Sequence, residues 1–137
     1  MSEIFFELVS PEKKLISEPV YMAEIPGDEG MMGILSGHCG LVSSLSAGVV
    51  RLHKAEGDKD VRKIFIAGGF ADITPEHCSV LAEEAISLDD LDKDSLEQSL
   101  RDLNEDLTLL VEPSDIKRTK EKIALTKAKL VAVAGYN

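Results

Sequence analysis

Near Ser87 the spacing of apolar residues changes from two to 3.6, so a β-domain is expected to give way to helices there. Before that point, Ile4, Phe6 and Leu8 alternate with Phe5, Glu7 and Val9, and Ser10-Pro11-Glu12 supplies a turn. Residues 20–25 form the next run, closed by Pro26-Gly27. Residues 49–52, 61–67, 70–73 and 78–82 follow, separated by a hairpin tip at Ala55-Glu56-Gly57-Asp58, a break at Gly68-Gly69 and a turn at Pro75-Glu76. Short strands with turn signals every ~8–12 residues predict an antiparallel sandwich or barrel over residues 1–86.

Beyond it, Leu96, Leu100, Leu103, Leu107 and Leu110 recur at spacings of four and three, one narrow stripe of a helix. Ser87 with Asp90, or Asp92 alone, caps its start, and Pro113 ends it. A second helix is expected to begin with Ser114 as its cap, with Ile116, Ile123 and Leu130 as its stripe and Ala124, Ala128 and Val131 filling it in. A short break between two helices predicts an antiparallel hairpin over residues 87–137.

Charge divides along the same lines. Residues 1–86 carry 14 acidic and 7 basic side chains, residues 87–112 carry 9 and 2, and residues 113–137 carry 2 and 6. The acidic first helix therefore faces a basic second one. Exposed ion pairs contribute only ~0.2–1 kcal/mol each, so the leucine stripe must hold the hairpin. Its alanine-rich partner face buries little, and a marginal hairpin able to open is expected. The overall net charge of -10 argues against a nucleic-acid backbone or an anionic lipid surface as the main partner. No apolar run approaches the ~20 residues of a membrane helix, so no direct membrane insertion is expected. Cys39 and Cys78 show neither a disulfide framework nor metal spacing.

Residues 27–41 hold five glycines, with Asp28 and Glu29 near their start and His38-Cys39 near their end. Glycine at that density predicts tight bends around short strand pieces, presenting a mixed polar and apolar edge at one end of a small sheet. Met31-Met32 in such a turn suits an adaptable partner surface better than a buried core. A Cys-His nucleophile at His38-Cys39 would need both side chains on one face and a third orienting group. Neighbours on a strand point apart, so a bend histidine beside a small apolar cysteine is the better reading. Asp89, Asp90, Asp92 and Asp94 lack the glycine and glutamate of a calcium loop in register, and no metal site or cofactor is expected.

The order of these motifs carries a family resemblance. It runs from Phe6-Glu7-Leu8-Val9-Ser10-Pro11-Glu12 through Gly27-Asp28-Glu29-Gly30 to Gly33-Ile34, Gly37-His38 and Gly48. Ala67-Gly68-Gly69-Phe70, Val80-Leu81-Ala82-Glu83 and a hairpin opening at Asp90-Leu91-Asp92 complete it. Across essentially the whole chain this resembles the epsilon subunit of bacterial F-type ATP synthase. The resemblance implies a sandwich of about ten short strands followed by an antiparallel two-helix hairpin, with no chemistry of its own. It implies a central-stalk rotor subunit that couples the gamma subunit to the polar loops of the c-ring. The hairpin is implied to restrain ATP hydrolysis when it extends toward the catalytic alpha and beta subunits. The location implied is peripheral, on the cytoplasmic face of the bacterial plasma membrane.

By that resemblance Asp28, Glu29, Gly30 and Met31 match the c-ring-facing edge, and His38 matches a nearby bend facing stalk and ring. Lys117, Arg118, Lys120 and Lys122 match the region that meets acidic beta-subunit surface. Where family members commonly carry prolines this chain has Ser36 and Gly40, so a looser bend is expected, and Met31 replaces a frequently acidic residue. An alternative from the same family is a nucleotide-sensing module with an ATP-stabilised hairpin. There the resemblance requires an Arg-Ala that is absent, since Leu91-Asp92-Lys93-Asp94 is followed by Ser95-Leu96.

Overall fold

The computed structural model describes residues 3–57, 59 and 61–135, and the chain divides into two compact units at Ser87/Leu88. Asp58, assigned above to a hairpin tip, lies outside the described residues.

The first unit contains β1 (Ile4–Val9), β2 (Lys14–Val20), β3 (Met22–Gly27), β4 (Gly30–Leu35), β5 (Leu41–His53), β6 (Arg62–Ile73), β7 (His77–Ala82) and β8 (Ala85–Ser87). They hydrogen-bond in the order β2-β1-β7-β6-β5-β3-β4, with β8 also pairing β6. Ile16 and Val20 of β2 share one apolar cluster with Ile34 of β4, although these strands end the pairing order on opposite sides. The sheet therefore folds over on itself as a sandwich, with Phe6, Leu8, Ile25, Leu52 and Ile73 among its fully buried filling.

Two differences from the expected sandwich have physical reasons. The described strands number eight rather than ten, because β5 and β6 run through both layers instead of stopping at their glycines. In β6 the inward set changes from Ile64 and Ile66 to Ala71 and Ile73 across Gly68-Gly69, so the strand turns over without breaking. Gly69 has φ +148° and a Cβ there would lie 1.9 Å from the Leu81 carbonyl oxygen, so only glycine permits that corner. The sheet is also mixed rather than wholly antiparallel, since β1 and β7 pair in parallel.

The second unit opens with a short 3-10 turn at Leu88–Asp90, then α1 (Lys93–Leu109) and α2 (Pro113–Ala134), which pack on each other. Asp92 is the N-cap of α1: its carboxylate accepts from the Asp94 N–H and the Ser95 hydroxyl. The cap of α2 is Glu112 rather than Ser114, because Pro113 starts the helix at the position where its missing N–H costs nothing. All five leucines of the α1 stripe are half-buried, while the neighbouring Leu109 is 79% exposed. On α2, Ile123 is buried and Ile116, Ala128 and Leu130 are half-buried, but Ala124 and Val131 are exposed. Each of those two sits one residue, about 100°, past the stripe, and a narrow seam does not cover it.

Candidate functional site

Site residues cluster at the β3–β4 hairpin. Asp28 and Glu29 form its two-residue loop between the paired Gly27 and Gly30, and both are exposed. Among the described residues neither carboxylate has an ion-pair partner. The Asp28 N–H donates to the Ser44 carbonyl of β5 at 3.2 Å, which ties the tip to the next strand. Between residues 27–32 and residues 41–44 lies a depression of about 470 Å³. Met31, Leu41 and Val42 beside it are 44%, 43% and 71% exposed, a concentration of apolar surface next to two free carboxylates. The two methionines divide, since Met32 packs against the core while Met31 faces solvent. Alternation along β4 explains the split.

His38 lies beyond the opposite end of β4, after a strand that rises about 3.3 Å per residue from Gly30 to Leu35, so roughly 17 Å along the chain separates it from the acidic tip. Its N–H donates to the Leu35 carbonyl at 3.1 Å, the Gly37 N–H donates to the Pro75 carbonyl at 2.8 Å, and the His38 ring Nδ1 stands 2.8 Å from the Cys39 carbonyl oxygen. The structure thus brings Asp28, Glu29, Gly30 and Met31 together and sets His38 apart from them.

On α2, Lys117, Arg118, Lys120 and Lys122 are all exposed. Helical geometry separates them into two pairs. Lys117 and Lys120 border a depression of about 550 Å³ with Pro113, Ile116, Glu121 and Ala124, whereas Arg118 turns to an ion pair with Asp115 at 2.9 Å.

One surface escaped the sequence reading. Phe70 and Leu81 are paired across β6 and β7, are 58% and 51% exposed, and lie on the outer face of the sheet. The signal was the alternation with Ala71 and Ile73, which turns Phe70 outward once the corner at Gly69 is known.

The cysteines differ sharply. Cys39 is exposed, while burial of Cys78 in the core pushes its thiol up to about 12. Asp92, the acid in the nucleotide pattern, is committed to capping α1. Among the described residues no group of three metal-ligating side chains converges, and no helix is long and apolar enough to cross a membrane.

Comparisons with known proteins agree on one family. Residues 3–88 match the family described as "ATP synthase, Delta/Epsilon chain, beta-sandwich domain". The ATP synthase epsilon chain of Rhodospirillum centenum is 39% identical over 132 residues, covering 94% of this chain and 90% of that one. The ATP synthase epsilon chain of Brucella anthropi is 45% identical over 101 residues, covering 73% of each. In fold, the chain is similar to one in the Euglena gracilis mitochondrial ATP synthase OSCP/F1/c-ring structure. The TM-score is 0.79 at 22% identity, over 93% of this chain and 79% of that one.

Proposed function

The chain belongs to the ATP synthase epsilon chains, non-catalytic subunits of that complex, and from this premise we propose that it couples the gamma subunit to the c-ring and regulates ATP hydrolysis. Residues 1–86 bind gamma and the polar loops of the c-ring, and residues 87–137 regulate by extending toward the alpha and beta subunits. The protein works peripherally, at the cytoplasmic face of a bacterial plasma membrane.

The observation that carries this reading is the exposed edge at the β3–β4 hairpin, where Asp28 and Glu29 stand beside Met31, Leu41 and Val42. Unpaired carboxylates suit basic loops, and the adjoining apolar side chains supply area to bury. A subunit that bridges two partners needs two surfaces, and the Phe70–Leu81 pair on the outer face provides the second. In the hairpin, Lys117 and Lys120 beside Ile116 give α2 a basic and apolar face for an acidic partner surface. His38 contributes through the bend after β4, away from the acidic tip.

Co-purification with gamma subunit and c-ring tests the reading. Wild-type protein is expected to be retained by both, and Asp28→Lys/Glu29→Lys to weaken retention by the ring alone. Failure of the wild type to bind either partner would remove the assignment.

A further inference from the structure

The sandwich ends in strands with very different edges. In β2, Lys14, Glu18 and Pro19 guard the edge, and Lys14 pairs with Glu7 at 3.0 Å. Charge and proline are the usual protections against strand pairing. In β4 the sequence Gly30-Met31-Met32-Gly33-Ile34-Leu35 has neither a charge nor a proline, and its outward residues Met31, Gly33 and Leu35 are all exposed.

The direction of the free backbone groups follows from the register. Gly27 and Gly30 close a two-residue loop and are therefore a hydrogen-bonded pair. The next pair, Pro26 with Met31, cannot exchange both bonds because proline has no N–H. Alternation then turns the N–H and C=O of Met31, Gly33 and Leu35 away from β3. The Leu35 carbonyl confirms this direction, since it accepts from the His38 N–H in the following bend. Flanking the start of this edge is the depression shared with residues 41–44 of β5, and one end of it carries the unpaired Asp28 and Glu29.

We infer that β4 is an acceptor for strand addition: an extended segment of a partner polypeptide pairs with the backbone of Met31 and Gly33 and with the N–H of Leu35, whose carbonyl the following bend already occupies. That segment is apolar at alternate positions, to cover Met31 and Leu35, and carries Lys or Arg at the end that meets Asp28 and Glu29. Backbone pairing supplies register, and the charge contact sets direction. A second copy of this chain is a poorer occupant, because it brings another net charge of -10 and no basic residue within 27–41 to face the acids. The inference rests on the reading of this edge as a docking edge and specifies the kind of contact made there.

Gly33 permits a direct test. Its N–H points outward, so Gly33→Pro removes a docking donor without removing a β3–β4 bond, and proline is tolerated on an edge strand. Gly33→Ala keeps the donor, and its Cβ meets only the Met22 sulfur at an ordinary 3.5 Å. The probe is ATP synthase complex assembled without this subunit, to which each variant is titrated. Gly33→Pro is expected to weaken binding about tenfold and Gly33→Ala less than about threefold. In wild-type protein, amide exchange at Met31, Gly33 and Leu35 is expected to slow on binding. If Gly33→Pro binds as wild type does, or the three amides exchange equally fast free and bound, strand addition is wrong. In that case an effect of Asp28→Lys/Glu29→Lys would still leave the docking edge standing. Concentration-dependent protection of these amides without the complex would assign β4 to a second copy and overturn the inference. No binding by the wild type would remove both this inference and the functional reading beneath it.

Discussion

Among the described residues, all but two of the buried apolar side chains lie in the sandwich, and the helical hairpin contributes only Ile123 and Ala132. The sandwich closes a single core from strands at both ends of its order, whereas α1 buries no side chain fully and relies on half-buried leucines. Apolar burial is the main favourable term in folding, so the second unit is expected to open before the first. That contrast suits a part that grips and a part that changes place.

The contrast can be broken at several points. Phe6 is fully buried, so Phe6→Ala is expected to cost about 3–5 kcal/mol, read as a lower urea midpoint for loss of β structure. Leu103→Ala removes a half-buried side chain and is expected to cost about 1–2 kcal/mol, seen as faster amide exchange in α1 and α2 with the sandwich unchanged. An equal effect of Leu103→Ala on sandwich amides would contradict independent stabilities. Asp92→Ala removes the cap of α1 and is expected to cost about 1 kcal/mol of helix stability, measured by thermal loss of helical ellipticity.

Thiol chemistry sharpens the same comparison. In native protein a thiol reagent is expected to modify Cys39 and leave Cys78 untouched until the core opens. Burial raises the Cys78 thiol from 9.0 to about 12, so its unfolded form releases a proton first as pH rises. Its contribution to stability is therefore complete below pH 9 and declines between pH 9 and about 12. Cys78→Ala is expected to flatten that decline in denaturant melts across the interval.

Much of this was legible in the residues. Alternation along residues 4–9 marked a strand, of which Ile4, Phe6 and Leu8 prove to be the buried set, and the leucine stripe marked the buried side of α1. Glycines predicted the bends on either side of β4. Long-range pairing was not legible: the parallel contact between β1 and β7 has no local signature, and the corner at Gly69 depends on Leu81 from another strand. Proline at 113 was taken as a stop and is also a start, because the same missing N–H suits the first turn of α2. For the site, acids and glycines identified the hairpin tip. The sequence could not show that a whole strand separates His38 from it, or that Phe70 faces outward.

The most direct measurement is ATP hydrolysis by complex reconstituted with full-length protein or with protein truncated after Leu88. A gripping sandwich and a regulatory hairpin predict that the truncated chain still assembles and that hydrolysis rises. Unchanged hydrolysis with full assembly would deny the hairpin its regulatory role, and failure to assemble would deny that the sandwich is the part that grips.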